Sequence, residues 1–146
     1  MKKLSKEDKE IILEQYKLYV GTAEKVSDMR QTANTFFLTI NSVLLTYTGY
    51  LTTTSTELWY FVVALTGILI SYFWREIIKS YRQLNSSKFH IIHDIEKKLP
   101  IALFTDEWEY LGRGKNKDYS KLTVVESKIP LVFIVLYVAI IILMLI

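Results

Sequence analysis

The chain has 146 residues, 51% hydrophobic and 23% charged, with a formal net charge of +3 and a mean hydropathy of +0.21. That length bounds it to one domain, and the absence of cysteine excludes disulfides and thiolate metal sites.

No charge interrupts Gln31 to Thr56, Leu58 to Trp74 or Ile129 to Ile146. Hydrocarbon about 30 Å thick takes roughly 17–25 helical residues to cross, and all three blocks fit. Backbone in hydrocarbon must pair its amides internally, so the blocks must be helices. The expected class is all-α: a polytopic membrane protein with three transmembrane helices and long helical cytoplasmic extensions.

Residues 1–32 form the expected cytoplasmic N-terminal helix. Lys2, Lys3 and Lys6 open the chain, but no apolar run follows them, so a cleavable signal peptide is not expected. Ser5 and Asp8 have the spacing of a capping box. Ile12, Tyr16, Tyr19, Ala23 and Val26 then recur at helical spacing, which predicts one helix from Lys6 to Leu51. Residues 33–51 are its transmembrane part, with Phe36 and Phe37 at one end and Tyr47 and Tyr50 at the other.

The segment 52–57 is a threonine-rich external turn without Lys or Arg. Transmembrane helix 2 spans 58–75, between Trp59-Tyr60-Phe61 and Tyr72-Phe73-Trp74. The two tryptophans lie roughly 22 Å apart on a helix, as aromatic belts do. The segment 76–129 is cytoplasmic. Ile77, Ile78, Tyr81, Leu84, Ile91, Ile92, Ile95 and Leu99 continue the helix until Pro100 stops it. A short helix follows, with Thr105 as its cap, an acidic first turn and Gly112 as its stop. After a basic loop at 112–117, Thr123 and Glu126 suggest a second capping box. It opens transmembrane helix 3, residues 130–146, where Pro130 could kink the chain and the terminal carboxylate belongs at the far interface.

Charge sets the direction. Seven Lys/Arg precede the first span and eleven lie from Arg75 to Lys128, which together are all eighteen. The positive-inside rule puts both segments in the cytoplasm, the threonine turn outside and the C-terminus outside.

Four features could carry function. Thr35, Thr39, Ser42 and Thr46 share one face of helix 1, with Gly49 and Thr53, while Asn34, Asn41 and Thr48 flank it. This stripe is either a close-packed helix seam with interhelical hydrogen bonds or the hydroxyl lining of a pore. Ala64, Gly67 and Ser71 form a second small-residue face, which favours packing. His90 and His93, with Asp94 and Glu96 nearby, share a helix face and could hold a divalent cation. No third ligand stands at a motif spacing, and HExxH is absent. No metal or other cofactor is expected. The loop around Arg113 lacks Walker spacing; either its lysines meet anionic headgroups or Arg113, between two glycines, sits at a subunit contact. Asp106-Glu107-Trp108-Glu109-Tyr110 has carboxylates but no accompanying nucleophile, so Trp108 is expected as an anchor and the acids as a solvated side. Nothing suggests an enzyme or a nucleic-acid partner.

The stretches Asn34-Thr35-Phe36-Phe37-Leu38-Thr39-Ile40-Asn41, Ser80-Tyr81-Arg82-Gln83-Leu84-Asn85-Ser86-Ser87-Lys88-Phe89 and Glu107-Trp108-Glu109-Tyr110-Leu111-Gly112-Arg113-Gly114-Lys115 resemble the RipA-like family of small octameric bacterial inner-membrane proteins. The resemblance runs from about Leu13 to Pro130 and implies a bacterial cytoplasmic-membrane protein that self-associates, as an octamer, with no chemistry to carry over. The residues point independently to self-association, because a cytoplasmic contact stripe of Tyr81, Leu84, Ile92 and Ile95 must meet either the N-terminal helix or a neighbour.

The expected function is a homo-oligomeric inner-membrane protein with a cytoplasmic helical bundle or vestibule, structural or interacting, partnered by the lipid bilayer, by itself and by envelope proteins. The alternative is a pore-forming channel or membrane-disrupting effector lined by helix 1.

Overall fold

The computed structural model describes residues 5–51, 57–114 and 122–145. The expected external turn lies outside the described residues except for its last position, as does the basic loop beyond Gly114. Five α-helices form: α1 Lys6–Leu51, α2 Glu57–Glu96, α3 Leu103–Tyr110, α4 Leu122–Glu126 and α5 Ile129–Leu145. No strand forms among the described residues, so the all-α class holds.

The start of α1 follows from its cap. Ser5 Oγ accepts from the Asp8 amide at 3.0 Å, and Asp8 Oδ2 accepts from the Ser5 amide at 2.9 Å, which satisfies two of the orphan donors of a helix start. The end of α2 comes at Glu96, and the chain tightens there through Lys98 N to Ile95 O and Leu99 N to Glu96 O, both 2.9 Å, before Pro100. Proline disfavours helical backbone in the residue before it.

Two local expectations are corrected. Thr105 lies inside the first turn of α3, not at its cap, which is Ala102 and makes no side-chain bond. Likewise α4 begins at Leu122, so Thr123 is already helical, and a turn at Ser127–Lys128 separates α4 from α5. Pro130 therefore stands in the first turn of a new helix, where its missing amide costs nothing.

Two of the three expected spans meet the test of length and apolarity. Two stretches of the described helices, Leu58–Glu96 and Val124–Leu145, are long and apolar enough to cross a bilayer. The segment 33–51 falls short because Asn34, Asn41 and five Thr or Ser residues dilute its Phe, Leu, Ile and Val. In the two apolar windows only 33% and 17% of the residues are buried within the chain. A soluble core helix would be mostly buried, so these surfaces suit lipid.

The chain packs as two units. Unit 1 comprises Met1–Met29 and Tyr81–Lys121, with Ala23, Val26 and Ile92 buried. Lys88 ties α2 to α1, with Nζ donating to Thr22 Oγ1 at 2.9 Å and lying 4.8 Å from the centre of the Tyr19 ring. Unit 2 comprises Arg30–Ser80 and Leu122–Ile146. Its core is Ala64, Trp74, Ile78, Phe133 and Tyr137, joined by Phe37, Leu44, Leu45, Ile68, Ile140 and Ile141. A smaller cluster holds Tyr60 and Val63 against Leu44 and Met144.

Candidate functional site

The candidate site in unit 2 is a polar seam where α1 meets α2 and α5. Asn34, Phe37, Asn41, Leu44 and Thr48 alternate by three and four residues, so they share one stripe of α1. On α2 the matching stripe is Tyr60, Ala64, Gly67, Ser71, Trp74 and Ile78, all buried. Trp74 Nε1 donates to Asn34 Oδ1 at 2.9 Å, and the Trp74 ring stacks on Phe37 at 6.0 Å. Ser71 Oγ donates to Asn41 Oδ1 at 2.9 Å, and the Asn41 amide donates to Phe37 O at 2.9 Å. Tyr137 of α5 completes the layer, its hydroxyl donating to Asn41 O at 3.1 Å. Asn41, Ser71 and Tyr137 are each 0% exposed. A polar group in a dry seam must be paired, and every side chain in this layer makes a bond.

The second small-residue face, Ala64, Gly67 and Ser71, is thus turned into the protomer. Gly67 is the point of closest approach, because a Cβ added there would overlap the Tyr137 ring. At Gly21 and Gly49 an added Cβ would meet nothing within 4 Å.

The stripe Thr35, Thr39, Ser42 and Thr46 lies roughly 150° round α1 from the seam, almost on its opposite side, and all four are exposed. Their hydroxyls bond back along α1: Thr39 to Thr35 O, Ser42 to Leu38 O and Thr46 to Ser42 O, at 2.8–2.9 Å. The seam within the protomer therefore runs through Asn34, Asn41 and Thr48, which the sequence placed only on the flank. Phe37 and Leu44 between them were the available signal, since large apolar groups share their face.

In unit 1 the contact stripe divides. Ile92 is buried, Tyr81 and Ile95 are half-buried, and Leu84 is exposed. At the end of α2, Glu96 organises three elements. Its Oε1 accepts from the Tyr16 hydroxyl at 2.9 Å and the Phe104 amide at 2.8 Å. Its Oε2 accepts from the Thr105 amide at 2.9 Å and the Thr105 hydroxyl at 2.6 Å. Glu96 thus caps α3 from outside, a role the sequence assigned to Thr105. Burial pushes the Glu96 carboxyl up, but the bonds from Thr105, Phe104 and Tyr16 outweigh it and hold the group below its ordinary value. Burial and the adjacent carboxylate push the Tyr16 hydroxyl up to about 12.

The histidines diverge. His93 Nδ1 lies 2.9 Å from Thr105 Oγ1. Because the Thr105 proton goes to Glu96, that nitrogen must donate. His90 Nε2 is 3.8 Å from Asp94 Oδ2 and exposed. Among the described residues no three His, Asp or Glu side chains converge as a metal site would require. Asp106, Glu107 and Glu109 are exposed and Trp108 is half-buried. Arg113, in left-handed backbone at φ 53°, pairs with Glu109 at 2.9 Å.

The model of the octameric membrane protein family (8xMP) matches residues 13–146. The chain belongs to that family. The match takes in both units, so the polar seam, the outward hydroxyl stripe and the Glu96 cluster all fall within the family's span. It agrees with the small octameric membrane protein family that the sequence resembles. No curated protein and no solved structure matches the chain.

Proposed function

We propose that this member of the octameric membrane protein family is a non-catalytic scaffold of the bacterial inner membrane that assembles as a homo-octamer, with unit 1 in the cytoplasm as a helical bundle. One observation carries the reading: on α1 a row of exposed hydroxyls remains after the protomer has packed, whereas the exposed faces of α5 and of α2 over residues 58–74 are dominated by Val, Leu, Ile, Phe and Trp. Lipid suits the second kind of surface. Small hydroxyl residues suit the close approach of another helix. Envelope proteins are the further partners of such a scaffold.

The same reading takes α1 across the bilayer as a polar helix that α2 and α5 shield. Its support is the bonding of unit 1. Tyr16 bonds to Glu96 and Thr22 to Lys88, so the segments carrying them stand on one side of the membrane. Once α2 crosses, α1 has to cross as well to reach its start. Reporter fusions check this: a fusion at the N-terminus is expected to read as cytoplasmic and one at Ile146 as external. A cytoplasmic C-terminus would sink this topology.

The rival function, a pore lined by α1, rests on the same exposed hydroxyls. Thr39→Leu and Ser42→Leu separate the two. At a seam the added volume forces helices apart, and the particle mass in detergent falls while planar-bilayer current stays at background. At a pore lining the mass persists, and a current present in the unmodified protein is lost. We expect the first outcome.

A further inference from the structure

We propose that copies of this chain also dock outside the membrane, through one apolar face of unit 1 formed by Ile11 and Leu18 of α1 and Leu84 and Ile91 of α2. The inference rests on the self-association proposed above and names a surface for it.

Each helix carries its outward pair seven residues apart, so each pair forms a short stripe. The four are 52%, 72%, 47% and 43% exposed, and together they make a contiguous apolar patch in a segment too charged to sit in lipid. At 3.6 residues per turn, each pair lies roughly 110° around its helix from the side that meets the other helix. Because α1 and α2 run antiparallel there, those rotations bring both pairs to the same side of the helix pair. The Lys88–Thr22 bond lies between them. It brings Leu18 and Ile91 to similar heights, since Tyr16 pairs with Glu96 further along.

The opposite side is already covered. There Phe104 of α3 meets Phe89 at 5.6 Å and Tyr16 at 6.5 Å, and Thr105 meets His93. The protomer therefore buries one side of its α1–α2 pair under α3 and leaves the other bare, apolar at its middle and bounded by the exposed Lys25 and Lys98 one heptad further along each stripe. A bare face of this kind marks an interaction site. Around Leu18 and Ile91 the face is uncharged apart from Lys88, which Thr22 and the Tyr19 ring already engage, and this apolar middle suits an apolar protein surface, with Lys25 and Lys98 as its charged rim. Membership of a family of octamers supplies the occupant, a second copy.

The test uses the full chain in detergent. The unmodified protein is weighed first, and an octameric mass is expected; a monomeric mass would overturn the proposed self-association itself. Leu18→Glu and Ile91→Glu are then expected to lower the mass while leaving the helical circular dichroism unchanged, because neither side chain is buried in the protomer. Full octamer in both variants would overturn the docking face and leave the assembly proposal standing. The chain lacks cysteine, so Leu18→Cys and Ile91→Cys each introduce a single thiol. A short bis-maleimide applied to membranes holding both variants is expected to give covalent dimers, and Glu107→Cys, on exposed α3, is expected to give none. Cross-linking through Glu107→Cys alone would move the contact to the other side and overturn the inference.

Discussion

Gly67→Ala is expected to destabilise unit 2 although it adds one methyl group and improves helix propensity. Alanine is worth about 1 kcal/mol over glycine in an exposed helix, and Gly21→Ala, with open space around it, is expected to show that gain. At Gly67 the new Cβ would overlap the Tyr137 ring. The ring cannot easily yield, because it is 0% exposed, packed with Trp74 and Phe133 in one core, and held by its hydroxyl to Asn41 O. Overpacking of this sort costs about 1–3 kcal/mol, so the sign reverses between the two glycines. The thermal midpoint in detergent checks this, with a drop for Gly67→Ala and a rise for Gly21→Ala. Shortening the ring in the background of the clash, as Gly67→Ala with Tyr137→Leu, is expected to cost less than the sum of the two single changes, because the two residues share one space. Additive costs, or an unchanged midpoint for Gly67→Ala, would show that α5 does not press on α2 at this level.

The largest effect in unit 1 is expected at Glu96. Glu96→Ala leaves the Tyr16 hydroxyl, two amides and the Thr105 hydroxyl without the acceptor that all four share. A buried donor left unsatisfied costs about 1–3 kcal/mol, and water entering the gap offsets only part of that. Protease resistance of the segment around α3 reads the loss, and α3 is expected to become cleavable near Leu103. Glu96→Gln keeps the size but offers one good acceptor in place of two, so an intermediate loss is expected. The pH dependence has a definite sign. The folded carboxyl is held below the ordinary value of 4.5, so its contribution is complete above that value and lost as pH falls through the lower folded one. Wild-type resistance is therefore expected to be flat near neutrality and to collapse in acid, with no such collapse left to lose in Glu96→Ala. Acid sensitivity equal in both proteins would place the titrating group elsewhere.

The sequence by itself determined the helices and the medium they occupy. The uncharged runs and the 3.6-residue spacing placed α1 from Lys6 to Leu51, as found, and the Ser5–Asp8 cap formed as its spacing required. These features are local, so short-range pattern was enough to reveal them. The motif stretches likewise agreed with the family to which the chain belongs. Only the tertiary structure decided which polar face of α1 is used within the protomer. Thr39 and Asn41 are two residues apart and so stand on nearly opposite sides of α1, and periodicity alone cannot say which of two polar stripes meets a neighbour. The choice fell to Asn41 because Ser71 and the Tyr137 hydroxyl reach it from two other helices, whereas the hydroxyls of Thr39 and Ser42 are satisfied by their own backbone. The cap of α3 was hidden for the same reason. Thr105 has the chemistry of a cap, but Glu96 arrives from nine residues earlier and takes both the amide and the hydroxyl of Thr105. A carboxylate accepting four bonds outcompetes a hydroxyl that can accept only through its lone pairs, and the fold of the intervening turn, which no pattern encodes, is what brought it there.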